Sequence, residues 1–196
     1  MEFPSCGINE MLKMIDGPNS RICRRIYREN RRLFCLVQGS TNNHQAWKGG
    51  YHDHIQEAMR WGLYFYTCTS LVRTLPFSLS DLLLVVFLHD IEKPWKYELG
   101  PRGQLQHKNS LNSKKAHREF RDKKLGEYGI ILSVEQDNAM KYAEGELDDY
   151  TNQRRMMNEL AGFVHICDVL SARVFHNYPR KKLPTLSNAQ RVAEII

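Results

Sequence analysis

Histidine and aspartate recur at three places along the chain, in patterns that are typical of metal ligands. The stretch "GGYHDHI", residues 49 to 55, places two histidines and an aspartate behind a glycine pair. "FLHDIEKPW" places His89 and Asp90 side by side after an apolar run, and "FVHICDVLSAR" places Asp168 among apolar turns. Imidazole nitrogens and carboxylate oxygens both bind divalent ions. These residues are therefore candidates for one metal site.

Expected burial makes the second and third patterns informative. Two adjacent polar residues at the end of a core helix are costly to bury unless a partner engages them. A carboxylate amid an apolar helix needs a partner for the same reason. Alone, a His-Asp pair also fits a helix cap or a surface pair, and a histidine in a loop is ordinary. The prediction rests on the combination.

Helical periodicity dominates the elements that must position these residues. We expect helices at 54–72, 78–93, 114–129, 132–145 and 158–175. Ser80 is the expected cap of the second helix, with Asp81 in its first turn, and Ser133 with Gln136 predicts a capping box for the fourth. Residues 98–113 are rich in Gly, Pro, Asn and Ser and predict a loop that could cover a site. The fold class is predicted to be all-α.

Length and composition predict one globular domain over residues 1–196, because 42% of the residues are hydrophobic and 26% are charged. No apolar run approaches the length that crosses a bilayer, and no basic start precedes an apolar block. We therefore expect a soluble, cytoplasmic protein with no membrane partner. The five cysteines are widely spaced without a CxxC pair, which argues against a disulfide framework and a cysteine zinc site.

The net charge of +6 is concentrated in "RICRRIYRENRR". Its arginines are Arg21, Arg24, Arg25, Arg28, Arg31 and Arg32. Arginine suits phosphate oxygens, so the segment could contact nucleic acid, a nucleotide or an acidic partner. A solvated helix face is the alternative.

The order GG-x-x-x-H, then HDxxK, then an aspartate on a late apolar helix resembles the HD-domain superfamily of metal-dependent phosphohydrolases. The resemblance covers about residues 45–178 and leaves a basic N-terminal helical arm and a short C-terminal tail. It implies a compact helical bundle that holds one divalent ion through His54, His89, Asp90 and Asp168. His52 and Asp53 are expected beside the ligands, with His52 as the fallback if His54 faces solvent.

The resemblance implies phosphohydrolysis of a phosphorylated small molecule, with nucleotides preferred only by family habit. Mn, Co, Ni, Mg or Fe could serve, because a mixed set of nitrogen and oxygen ligands discriminates weakly among divalent ions. Such an ion polarises a phosphoryl group and lowers the pKa of bound water. Lys93, in the HDxxK position, is the leading candidate for binding substrate phosphate, and Arg173 is the second. A surface salt bridge explains Arg173 equally well. Arg24, Arg25 and Arg28 could add contacts to a polyphosphate.

Candidate general acids are Glu92, His107 and His117, with no firm order among them. Nucleotidase branches of the family carry a glutamate where this chain has Lys93. The catalytic role of that glutamate therefore has no counterpart at this position. His165 either lies beside the site or is a satisfied core histidine. The acidic run of Glu144, Glu146, Asp148 and Asp149 either lines the site or is a solvated helix end.

Two alternative functions stay open. HD-domain oxygenases bind two irons through additional histidines between the His-Asp pair and the final aspartate, where this chain has His107 and His117. His107 lies in the Gly/Pro/Asn-rich segment, however, and the later "KYAEGE" has no histidine. The other alternative is a non-catalytic helical module that binds nucleic acid through the basic N-terminal segment.

Overall fold

The computed structural model describes residues 3–40, 43–99, 101, 105–111 and 113–177, without the side chains of residues 99, 105–107, 109 and 114. Within these ranges the chain forms seven α-helices and one antiparallel hairpin, which confirms the all-α prediction. The elements are α1 Ile8–Leu12, α2 Gly17–Leu36, α3 Gly50–Ser70, α4 Leu79–Leu88, β1 Tyr97–Leu99, β2 Leu105–His107, α5 Lys114–Tyr128, α6 Val134–Tyr142 and α7 Glu159–Val169. The predicted C-terminal tail, which follows residue 178, lies outside the described residues.

Helix α3 begins at a tight glycine turn. Gly49 has a left-handed backbone with φ 81°, and a Cβ atom on Gly50 would lie 1.8 Å from the carbonyl oxygen of Gln45. Only glycine fits so close a backbone approach. The expectation that His54 opens this helix is therefore wrong: α3 starts at Gly50, and His54 lies in its second turn.

The N-cap of helix α4 lies two residues before the expected one. Ser78 is the N-cap: its hydroxyl accepts from the Asp81 amide at 3.0 Å, and Asp81 Oδ2 accepts from the Ser78 amide at 2.9 Å. Ser80 was the predicted cap, but only Ser78 stands three residues before Asp81, which the reciprocal box requires. Ser80 Oγ instead accepts from the Asp16 amide at 2.8 Å.

Helix α4 is the centre of the core. All of its residues from Leu82 to Leu88 are buried, and they pack with α3, α6 and α7. The apolar face of α2 joins the same core through Ile26, Tyr27 and Phe34. The N-terminal segment is thus packed into the domain, with its arginines outside. Because α4 ends at Leu88, His89 and Asp90 directly follow its last buried turn, and both are buried as well.

The segment predicted as a loop over 98–113 contains regular structure. Strands β1 and β2 pair antiparallel, with Tyr97 opposite His107 and Leu99 opposite Leu105. A 3-10 turn follows at Asn109–Leu111. The pairing is only three residues long on each side, too short for its periodicity to be read from the sequence.

Helix α6 begins with the predicted capping box, in which Ser133 Oγ accepts from the Gln136 amide at 3.2 Å. The last predicted helix divides into α7 and a π-helical turn at Leu170–Val174. Asn158 caps α7 by accepting from the Ala161 amide at 2.7 Å. No helix in the described ranges combines the length and the hydropathy needed to cross a membrane.

Candidate metal centre

The four predicted ligands converge at one point. One ligating atom from each of His54, His89, Asp90 and Asp168 lies within 4.8 Å of the others. His54 comes from α3, the His89–Asp90 pair from the end of α4, and Asp168 from α7. A set of two imidazoles and two carboxylates could hold a divalent metal ion.

Both imidazole rings face both carboxylates. His54 Nε2 lies 3.4 Å from Asp90 Oδ2 and 3.3 Å from Asp168 Oδ1. His89 Nε2 lies 3.2 Å and 3.6 Å from the same two oxygens. Burial alone would raise the pKa of both carboxyls, but the nearby Lys93 and His89 outweigh it at Asp90, and the nearby His54 and His89 rings outweigh it at Asp168. Both pKa values are lowered, so the carboxylates stay ionised.

The ring of His89 is oriented by the helix that carries it. Its Nδ1 lies 2.8 Å from the carbonyl oxygen of Val86, which can only accept, so Nδ1 carries a proton. Nε2 is left facing the carboxylates. Nε2 of His89 and Nε2 of His54 are buried and have no hydrogen-bond partner among the described residues. Buried imidazole nitrogens without a partner, aimed at ionised carboxylates, fit a metal ion.

A buried polar network holds the other side of His54. Its Nδ1 lies 3.0 Å from Ser171 Oγ, and Ser171 donates to Glu57 Oε2 at 2.9 Å. Gln45 Nε2 donates to the same Glu57 oxygen at 3.3 Å and to the Ser171 carbonyl at 3.1 Å. Gln45, His54 and Ser171 are fully buried and Glu57 nearly so. The network therefore joins the loop before α3, α3 itself and the π-helical turn.

Sequence reasoning missed Gln45, Glu57 and Ser171. Two of them carried a signal: Glu57 stands three residues after His54 and Ser171 three after Asp168, so each shares a helix face with a predicted ligand. A polar residue at that spacing on a buried face is a candidate for orienting the ligand. Gln45 carried no such signal, because it lies in a loop with an unusual φ of 38°.

His52 and Asp53 point away from the four-residue group. His52 Nε2 lies 2.7 Å from the hydroxyl of Tyr27, and burial lowers the pKa of His52 to about 3. Asp53 Oδ2 accepts from Trp47 Nε1 at 2.8 Å. Since His54 is buried and faces the cluster, His52 is not needed as the fallback ligand.

Lys93 and Glu92 occupy different surroundings although they are adjacent. The Lys93 ammonium forms an ion pair with Asp90 Oδ2 and also lines a cavity beside the metal centre. Glu92 lines a separate, small cavity of about 50 Å³, together with His117 and Arg121. Burial, with a further contribution from Asp90, raises the pKa of Glu92 to about 7. Glu92 can therefore carry a proton near neutral pH.

Two of the side chains that line this cavity with Glu92 are held by backbone carbonyls. His117 Nε2 lies 2.9 Å from the carbonyl of Leu111, so this nitrogen is the donor. Arg121 Nη1 donates to the carbonyl of His89 at 2.8 Å, which ties α5 to the end of α4. The side chain of His107, the other predicted acid, lies outside the described residues.

The remaining candidates lie at the periphery. Arg173 is exposed on the π-helical turn and lines neither cavity. His165 Nδ1 lies 3.0 Å from the carbonyl of Ala143, the arrangement of a satisfied histidine. In the acidic run, Asp149 accepts from Lys141 and from Tyr142, both at 2.6 Å. Glu144, Glu146 and Asp148 are exposed, and Glu144 also borders the small cavity.

The six arginines of α2 are all exposed. Their spacing places them along one side of the helix. Arg25 Nη2 donates to the carbonyl of Tyr128 at 2.9 Å, and its guanidinium lies 5.3 Å from the centre of that ring.

Comparisons of the chain with protein-family models, with curated proteins and with solved structures each found no match.

Proposed function

We propose that this protein is a metal-dependent phosphohydrolase of the HD-domain type. The observation that carries the proposal is the convergence of His54, His89, Asp90 and Asp168, which are scattered over more than half of the chain, within 4.8 Å of one another. Three separate helices must pack correctly to bring these four groups together. Desolvating two carboxylates in a domain core is costly, and binding a divalent ion offsets that cost.

The ion, when bound, supplies a Lewis acid for a phosphoryl oxygen and lowers the pKa of a water ligand. Lys93, which lines the adjoining cavity, neutralises a phosphate oxygen of the substrate. Glu92 holds a proton near neutral pH because burial raises its pKa, and it is a candidate donor to the leaving oxygen. His117 shares the cavity with Glu92 and is the other predicted acid whose side chain the structure describes, although its Nε2 proton is donated to the carbonyl of Leu111.

We propose one divalent ion per chain and a phosphorylated small molecule, a nucleotide by preference, as substrate. A di-iron oxygenase requires further metal ligands. Among the described residues, the group of His54, His89, Asp90 and Asp168 is the one whose geometry could hold a metal ion. His117 is outside that group and is hydrogen-bonded to Leu111. These observations favour hydrolysis over oxygen chemistry.

The exposed arginines of α2 support a second candidate, a nucleic-acid-binding helical module. Guanidinium groups along one side of a helix suit the phosphates of a nucleic-acid backbone. This candidate predicts binding that weakens steeply with salt and requires neither the metal nor Lys93.

A turnover assay, together with a nucleic-acid binding titration at several salt concentrations, separates the three functions. Phosphate release is followed for a panel of nucleoside mono-, di- and triphosphates, with Mn²⁺ or with a chelator, in air and without oxygen. The proposal predicts metal-dependent release that is equal under both atmospheres. Oxygen-dependent turnover supports the oxygenase, and no release together with salt-sensitive nucleic-acid binding supports the module.

A further inference from the structure

A cavity of about 320 Å³ lies beside the metal centre. One wall is the turn before α3, with Ser40, Asn43 and His44, and the other follows the His-Asp pair, with Lys93 and Lys96. This volume is at the lower end of the range of roughly 300–1,000 Å³ that holds small molecules. The cavity is large enough for part of a substrate.

The charge of the cavity is positive. Two lysines and no acidic residue are among its described lining groups. Lys93 is engaged by Asp90, whereas Lys96 forms no ion pair within the part of the chain that the structure describes. Burial and the neighbouring Lys93 lower the pKa of Lys96, and together they outweigh the opposite effect of Glu92, Asp90 and Glu144. An anion bound here would neutralise that charge.

His44 joins the cavity to the metal centre. Its ring centroid lies 5.0 Å from that of His54, and its Nε2 is buried without a hydrogen-bond partner among the described residues. Ser40 fixes the turn that carries it, because Ser40 Oγ accepts from the amides of Asn43 and His44, each at 2.8 Å. A neutral imidazole offers one N–H donor, which suits an anionic oxygen.

We propose that this cavity is a subsite for a second phosphate group of the substrate, next to the phosphate that reacts at the metal centre, with Lys96 as its main cation. The inference rests on the proposed function and narrows it. Asp90 binds Lys93 at the edge of the metal centre, whereas Lys96, three residues on, lines the cavity. The preferred substrate therefore carries phosphates in tandem, as a diphosphate or a longer chain does, and a monophosphate leaves the subsite empty.

Binding tests the subsite without any turnover. Pyrophosphate and orthophosphate are titrated by calorimetry into metal-free protein, its Lys96→Gln variant and a Lys115→Gln control. Lys115 is 84% exposed on α5, so the control removes the same charge away from the cavity. We expect pyrophosphate to bind the parent protein more tightly than orthophosphate, and Lys96→Gln to weaken it roughly tenfold, the equivalent of one charge-assisted hydrogen bond. Lys115→Gln should change neither affinity, and thermal melting verifies that both variants fold.

Kinetics then separates this inference from the proposed function. Lys96→Gln should lower kcat/KM about tenfold for nucleoside diphosphates and leave monophosphates unchanged. The subsite is overturned, while hydrolysis stands, if kcat/KM falls equally for diphosphates and monophosphates. The same holds if the parent protein and the variant bind pyrophosphate with equal affinity. Lys96-dependent pyrophosphate binding without any phosphate release supports the subsite and overturns the hydrolase.

Discussion

The hydroxyl of Ser171 lies 3.0 Å from Nδ1 of His54. The same hydroxyl donates its one proton to Glu57 Oε2 at 2.9 Å, so it meets the His54 nitrogen as an acceptor. Nδ1 of His54 therefore carries a proton, and Nε2 keeps the lone pair that a metal requires. A partner on the far nitrogen is the usual way in which proteins orient a metal-binding histidine.

Removing that acceptor should weaken metal binding. We expect Ser171→Ala to lower the affinity for Mn²⁺ about 10- to 100-fold, because Nδ1 of His54 loses its partner and the ring its orientation. Calorimetric titration of metal-free protein measures the change. Glu57→Gln is the matched control, because an amide oxygen can still accept from Ser171. Equal affinities in Ser171→Ala and the parent protein would show that Ser171 only fills space.

Glu57 should make stability depend on pH. Burial raises its pKa to about 9, so the folded chain keeps a proton that the unfolded chain loses above its ordinary pKa of 4.5. Stability is therefore lost as pH rises across this window, by on the order of 1 kcal/mol per pH unit. Glu57→Gln removes this pH dependence, because an amide does not titrate. Urea unfolding of both proteins between about pH 5 and pH 8 should show the parent losing stability relative to the variant, whereas parallel curves contradict the assignment.

Lys93 should act on the substrate and not on the metal. Its ammonium is paired with Asp90, so Lys93→Ala removes a cation that competes with the metal for that carboxylate, and the variant should retain the metal. We expect kcat/KM to fall on the order of tenfold or more, because a substrate phosphate loses its cation. Metal analysis and steady-state kinetics on one preparation measure both. Loss of the metal or of the fold would assign Lys93 a structural role instead.

Gly50 should tolerate no side chain. A Cβ atom there would lie 1.8 Å from the backbone oxygen of Gln45, so Gly50→Ala must displace the loop that supports His54, at a cost of roughly 3 kcal/mol. Gly162→Ala is the control: it lies in α7 with nothing within 4 Å of its Cβ position, and alanine there should stabilise by about 0.5–1 kcal/mol. Thermal melting compares the two. A Gly50→Ala melting temperature equal to that of the parent protein would contradict the close approach.

Three of the four residues of the candidate metal centre were predictable because each is a polar residue where apolar periodicity demands burial, whereas His54 was predicted only from the resemblance to the HD-domain pattern. His89 and Asp90 follow a fully buried helix, and Asp168 interrupts another, so the sequence alone exposes their need for a partner. The order of the helices and the Ser133 capping box were predictable for a similar reason, since both depend on neighbouring residues.

The other features of the site and the fold depend on tertiary contacts, which local sequence patterns do not predict. Gln45 meets Ser171 only because the loop before α3 packs on the π-helical turn, and neither irregularity has a sequence signature. The choice of Ser78 over Ser80 depended on a single reciprocal hydrogen bond to Asp81. Lys96 and His44 likewise come from different segments and meet only at the wall of one cavity.

Metal content and phosphate release, measured together, test the central claim most directly. Purified protein is loaded with Mn²⁺, freed of excess metal, and compared with Asp168→Asn, which removes one ligand charge but keeps the side-chain volume. We predict one ion per chain and metal-dependent phosphate release in the parent protein. The variant should bind the metal at least tenfold more weakly and release little phosphate. Equal metal content and equal turnover in Asp168→Asn, or two irons per chain with oxygen-dependent turnover, would contradict the account.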